Sequence, residues 1–224
     1  MKTIKTKAIV LRRTNYGEAD RIIQFITPIG KISAIAKGAR REKSRLAGGI
    51  ELFSICEIVF MDGKTEMKIV TSSRLIKFYN HIIENYEKMQ FAYLAIKLVA
   101  KNSESSGESE WYDLLSGTLA GLNSKALSIE MVQTWFYIKY ALLTGHDLSL
   151  TFDINGKNIS PRLSYFYDVD ERGLRFDKTG NLKADHIKLL RLLSTKGLDV
   201  LSKIGGTETI IEDCLTVARE HAAI

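Results

Sequence analysis

Over the first 80 positions apolar residues recur every second residue in short runs, and after Lys77 they recur every third and fourth. The first period belongs to half-buried β-strands and the second to amphipathic helices. TIKTKAIVLRR alternates before its apolar centre, RIIQFIT and GKISAIA follow, and ELFSICEIVFM and EMKIVTSSRLI complete five predicted strands. Turn residues separate them: NYGEAD at 15–20, TPIG at 27–30 and MDGK at 61–64. The last sets Asp-Gly between two apolar runs, a hairpin signal. Five strands in about 75 residues, with one longer connection after the third, predict a small closed barrel of the oligonucleotide-binding (OB) type. An SH3-like barrel is the nearest alternative.

Beyond Lys77, the segment 81–101 places Ile82, Tyr86, Met89, Tyr93, Ile96 and Ala100 at helical spacing, which predicts one amphipathic helix. NSESSGESE at 102–110 reads as a loop and WYDLLSGTLAGL as a second helix. A third helix spans 127–145, with Ser128 as its opening cap and Gly145 at its close. It is apolar around most of its circumference, so it should be the centre of a bundle. LSYFYDVDERGLRFD suggests a hairpin turning near Glu171-Arg172-Gly173, and two short helices open at Ala184 and Thr207. The fold expected is α+β: a five-stranded OB barrel over 1–79, then a helical domain over 80–224 with a small hairpin insertion at about 151–180.

Composition adds bounds. With 45% apolar and 26% charged residues the chain has the make-up of a soluble globular protein. Its apolar runs are too short or interrupted to span a bilayer, and MKTIKTKAIVLRR lacks a signal-peptide block, so a cytoplasmic protein without membrane contact is expected. Cys56 and Cys214 lie far apart in apolar patterns, without a ligand at metal spacing, and should be two buried thiols.

Charge changes the picture more. Residues 1–80 carry 16 Lys and Arg against 7 Asp and Glu, a balance of +9, whereas the remainder carries 16 against 19, a balance of −3. Within KISAIAKGARREKSRLAGG, Lys37, Arg40, Arg41, Lys43 and Arg45 are opposed only by Glu42. Like charges so dense repel one another unless a polyanion completes them, and released counterions then add to affinity. On an OB barrel Arg12 and Arg13 would end the first strand, Arg21 begin the second and Lys31 open the third, all converging with this flexible, glycine-bounded loop. Such a surface follows a phosphate backbone instead of reading bases. Tyr16, in the loop between the first two strands, either stacks on an unpaired base or covers the barrel's end.

Motifs for catalysis are missing. Gly63-Lys64-Thr65 imitates the end of a P-loop, but Ile58 stands where that motif needs glycine. His81, His146, His186 and His221 are dispersed and read as surface or helix-end residues, and Asp168/Asp170 as a solvated loop. No enzymatic activity, cofactor, metal or small-molecule substrate is expected. On residues alone, an RNA-binding OB protein stays open, as does a Mg²⁺-dependent nuclease or nucleotidyl transferase.

Asn15 to Ser54 resembles the RecO family of bacterial DNA repair and recombination mediators. The resemblance rests on Tyr16-Gly17-Glu18 with Asp20-Arg21, Phe25 with Thr27, Gly30-Lys31, and Lys37-Gly38-Ala39-Arg40-Arg41 with Ser44-Arg45-Leu46. It implies a non-enzymatic protein with an OB domain and a helical domain. Such a protein would bind single- and double-stranded DNA, anneal complementary strands, and work with a RecR-like protein to load RecA onto DNA coated by single-stranded-DNA-binding protein (SSB). The family's basic surface would correspond to Arg12, Arg13, Arg21, Lys37, Arg40, Arg41, Lys43 and Arg45. Its helical domain would receive the C-terminal tail of SSB, with Lys139 either a contributor or an ordinary solvent-facing lysine. Many relatives carry a four-cysteine zinc cluster in the region equivalent to Phe152–Asp177. This chain has no cysteine there, so the hairpin would be held by Leu163, Tyr165, Phe166 and Phe176.

Overall fold

The computed structural model describes residues 3–61, 67–103 and 109–222. Five strands, β1 (Thr3–Tyr16), β2 (Asp20–Thr27), β3 (Gly30–Ala36), β4 (Ser54–Met61) and β5 (Lys68–Phe78), close into a barrel in the order β1-β2-β3-β5-β4. Neighbours are antiparallel except β3 and β5, which meet in parallel at Ala34–Lys68 and Ile35–Ile69. This is the OB barrel that the strand count predicts, and the fold is α+β. Alternation sends Ile23, Phe25, Ile32, Ala34, Ala36, Ile58 and Phe60 inward. Alanines on β1 and β3 leave room for Phe25 and Phe60 to meet edge to face at 5.5 Å.

β1 is buried on both faces at its centre, where Ala8, Ile9 and Val10 are wholly inaccessible. Ala8 and Val10 belong to the barrel core, and helices pack on the strand's other side. That two-sided burial explains the apolar run in its middle. A bulge at Leu11 shifts the register with β2, after which Asn15 pairs with Arg21 and Tyr16 with Asp20. The turn predicted over 15–20 therefore shrinks to three residues, with Gly17 at φ 53°. Tyr16 ends the strand instead of lying in a loop.

The helix predicted over 81–101 is two helices, α1 (Asn80–Ile83) and α2 (Tyr86–Asn102). Asn85 takes an extended conformation and its side chain accepts the Lys88 amide, capping α2. α3 (Glu110–Asn123) follows, and the residues to Asn123 form one compact unit. The MDGK turn with its Gly63-Lys64-Thr65 and most of the loop at 102–110 lie outside the described residues.

The second unit, Ser124–Ile224, is built on α4 (Ile129–Leu143). Ser128 caps it through the Met131 amide, Gly145 at φ 83° follows its end, and nine of its fifteen residues are buried, as its all-round apolar pattern predicts. A hairpin of β6 (Tyr165–Asp168) and β7 (Gly173–Phe176) comes next, then α5 (Ala184–Thr195), α6 (Leu198–Leu201) and α7 (Ile211–Ala222). α6 is too short to show a period. The helix expected from Thr207 begins as a turn, with the Thr207 carbonyl accepting from Ile210 and Ile211.

The hairpin is held by a different set from the one expected. Tyr165 is buried, but Leu163 and Phe176 are more than two-fifths exposed, and Tyr167, Leu174 and Leu182 fill the interior instead. Leu182 exchanges two 2.9 Å backbone bonds with Tyr165, and Asp153 Oδ1 accepts the Asn155 and Lys157 amides at 2.9 Å each. Hydrogen-bonded turns and apolar plugs hold this region. Among the described residues no group of three His, Cys, Asp or Glu could hold a metal ion, and no helix is long and apolar enough to cross a membrane.

Candidate nucleic-acid interface

The connection from β3 to β4 carries the cations. It leaves the barrel at Lys37 and passes Gly38 in the left-handed conformation, φ 65°. Three consecutive turns follow, closed by Ala39 to Ala36 (3.4 Å), Arg41 to Gly38 (3.1 Å) and Ser44 to Arg41 (3.0 Å). Ala39, 3% exposed, joins the barrel core, and Leu46 packs against the same cluster. The far end is pinned as well: the Ser73 hydroxyl donates to the Leu46 carbonyl at 2.8 Å, and a Cβ on Gly49 would strike the Ser73 backbone at 2.7 Å. The glycine-bounded loop is thus anchored at both ends, where the sequence suggests a flexible one. Small residues here serve close approach to the barrel.

The same loop is tied to the β1–β2 turn. The Asp20 carboxylate accepts the Gly38 amide at 2.7 Å, the Ala19 carbonyl accepts the Arg40 amide at 2.9 Å, and Arg40 Nη1 donates to the Gly17 carbonyl at 3.3 Å. These bonds set Tyr16, 54% exposed, beside the loop. Lys37, Arg40, Arg41, Lys43 and Arg45 are exposed, and among the described residues none of them lies in an ion pair.

Strand geometry divides the remaining candidates. Arg12 pairs with Gln24 and Arg13 with Ile23, so the two neighbours point to opposite faces. Arg12 is exposed and shares the outer face with Thr14 and Tyr16. Arg13 lies on the face of core residue Ile23, and its Nη1 meets Glu51 Oε2 at 2.7 Å and the Ile50 carbonyl at 3.4 Å. Arg21 follows the same inner parity, half-buried, with its Nε buried and without a hydrogen-bond partner. Lys31 donates to the Ala100 carbonyl near the end of α2 at 2.7 Å. In the second unit Lys139 donates to the Ser194 carbonyl near the end of α5, and burial pulls its pKa down. Lys37, Arg40, Arg41, Lys43 and Arg45 therefore stand exposed on one pinned loop and Arg12 and Tyr16 exposed on β1, while Arg13, Lys31 and Lys139 bond to protein groups and Arg21 is half-buried. Asp20, which positions the loop, enters the sequence reading only beside Arg21 in the family resemblance, with no role assigned to it; its bond to the Gly38 amide supplies one.

The histidines are less uniform than their spacing suggests. His186 and His221 are buried, at 7% and 3% exposure, although both lie in terminal turns of helices. Cys56 and Cys214 are free and buried, and burial pushes both thiols up to about 12.

An OB barrel with a cationic loop locked onto its β1–β2 turn, followed by a helical region, defines an α+β class of architecture. Comparison with known proteins narrows it. The family profile described as "Recombination protein O N terminal" matches residues 1–79, and "Recombination protein O C terminal" matches 83–222. The chain belongs to the RecO family. A DNA repair protein RecO of Alkaliphilus metalliredigens is 29% identical over 230 residues, covering 99% of this chain and 93% of that protein. One from Roseiflexus sp. is 36% identical over 56% of this chain, and one from Acetivibrio thermocellus 44% identical over 41%. Those two matches span 44% and 37% of the relatives' own lengths.

Proposed function

We propose that this chain is a non-enzymatic recombination mediator acting in DNA repair in the cytoplasm. Its barrel binds single- and double-stranded DNA through phosphates and anneals complementary strands. With a RecR-like protein it assists RecA loading on SSB-coated DNA, the second unit serving as a docking module for partners such as the SSB tail. Membership of the RecO family supports the setting. The observation that carries the reading is the pinned loop, which presents five exposed cations beside an exposed tyrosine, none of the five in an ion pair among the described residues. Two strands approaching each other repel; one cationic surface that neutralises both lowers that barrier. Holding the loop in turns before DNA arrives also limits the ordering entropy lost on binding.

With Arg12 and the five loop cations engaged, log K for a single strand should fall against log salt with a slope near about −4, at about −0.7 per phosphate. A slope shallower than about −1 would show that the loop meets no phosphate backbone. The decisive experiment is annealing of SSB-coated complementary strands by the triple variant Arg40→Glu, Arg41→Glu, Lys43→Glu. The side chains are exposed and the backbone pins remain, so the fold should persist while annealing is lost. Unchanged annealing would place the DNA surface elsewhere.

A further inference from the structure

The barrel carries a second set of exposed cations on the outer side of β1, β4 and β5. The first half of β1 alternates with Lys5 and Lys7 outward, opposite in parity to core residue Ala8. Lys7 pairs with Glu57 on β4, and Glu57 pairs with Arg74 on β5, so the three form one row across three strands. Past the bulge at Ile55/Cys56, Lys77 pairs with Ile55 and returns to the same face. Lys5 and Arg74 reach the same carboxylate oxygen of Glu57, at 3.1 and 3.3 Å, with side-chain exposures of 63% and 72%. The Lys5 hydrogen bond, followed by the charges of Lys5 and Arg74, holds the Glu57 carboxyl below its ordinary range. Glu57 is the one carboxylate that these strands contribute among the described residues, so four cations share a single counter-charge. Lys7 and Lys77 are exposed and lie in no ion pair there. Lys77 is further fixed over the Tyr79 ring at 5.2 Å.

From this face we infer a second phosphate-binding surface, which lets one barrel hold two nucleic-acid strands at once. The occupant is set by charge complementarity: a row of exposed cations on the outside of a sheet suits the sugar–phosphate backbone of a strand. β1 links the two surfaces directly, with Lys5 and Lys7 before its doubly buried centre and Arg12 and Tyr16 after the bulge. A strand held on each surface makes the second encounter intramolecular, and that effective concentration accelerates annealing without any new contact. The inference rests on the DNA-binding reading proposed above.

The test counts strands. Native mass spectrometry of the full chain with two oligothymidylate strands of different mass, which cannot pair, should show one protein carrying both. The variant Lys7→Gln, Lys77→Gln spares both partners of Glu57 and leaves the core untouched. It should weaken the second binding event about tenfold while the first stays within about twofold, and flatten the second event's salt slope by about 1.4. Lys7→Arg, Lys77→Arg should restore both. A wild-type complex that stops at one strand per chain overturns the inference while leaving the DNA-binding reading intact. So does a second event that survives the double variant, or polyglutamate binding at this face in place of a second strand. Failure of even the first strand to bind would instead overturn the proposed function.

Discussion

At the scale of single residues, the interface turns on Asp20. It is an acid beside a cationic loop, so simple charge arithmetic says that removing it should strengthen DNA binding. Its carboxylate, however, accepts the Gly38 amide at 2.7 Å and fixes where the loop leaves β3. A hydrogen bond to a charged group contributes about 1.5–3 kcal/mol. Asp20→Ala is therefore expected to weaken single-strand binding and slow annealing. Asp20→Asn keeps an acceptor oxygen and should bind at least as tightly as the wild type. Fluorescence anisotropy with a labelled strand separates the two; tighter binding by the alanine variant would mean that the loop's placement does not matter. The residue types of the site were legible in the sequence as an excess of cations, but their directions were only partly so. The period-2 rule already separates Arg12 from Arg13, whereas nothing local announces that Lys31 will meet the carbonyl of Ala100, sixty-nine residues away.

At the scale of elements, period and punctuation revealed the strands and most helices, because the strands alternate around a closed core and α4 is buried all round. What they missed depends on side chains competing with the backbone. Asn85 is an ordinary polar position in a helical pattern, yet its Oδ1 accepts the Lys88 amide at 2.9 Å and breaks one helix into two. Asn85→Ala removes that cap, and losses of about 1 kcal/mol are usual. Asn85→Asp should be close to neutral. Thermal unfolding of both variants checks this, and an unaltered midpoint in the alanine variant would mean that packing alone sets the start of α2. The hairpin shows the same limit differently. Its turn and strands were readable, but which of its aromatic residues face inward depends on Leu182, which returns from beyond the hairpin to bridge Tyr165.

At the scale of the whole molecule, the change of period near Lys77 marks where strands give way to helices, and the family profiles meet there too. The compact units divide later, after Asn123, because α2 and α3 pack on β1. The two units should also differ in their response to acid. In the second, the His146 carbonyl can only accept, so His221 Nε2 donates to it at 3.1 Å, and in the neutral ring Nδ1 then accepts from the Tyr167 hydroxyl at 2.9 Å. Arg172 donates to the His221 carbonyl at 2.6 Å, so protonation would set a second positive charge beside a guanidinium. Burial first, with Arg172 and His146 adding to it, lowers the His221 pKa from 6.5 against a hydrogen bond to His146 and the charge of Asp147. Its stabilising contribution is thus complete above 6.5 and is lost as pH falls from there through the folded-state value. The readout is built in, since Trp111 lies in the first unit and Trp135 in the second. In a Trp111→Phe variant, the unfolding midpoint followed through Trp135 should drop between pH 8 and pH 5.5. His221→Gln in that background should flatten the drop, since glutamine does not titrate. In a Trp135→Phe variant, the midpoint followed through Trp111 should move less over the same range. A Trp135 midpoint indifferent to pH would show that folding does not shift the His221 equilibrium, and a drop that survives the glutamine would assign the pH dependence to another group.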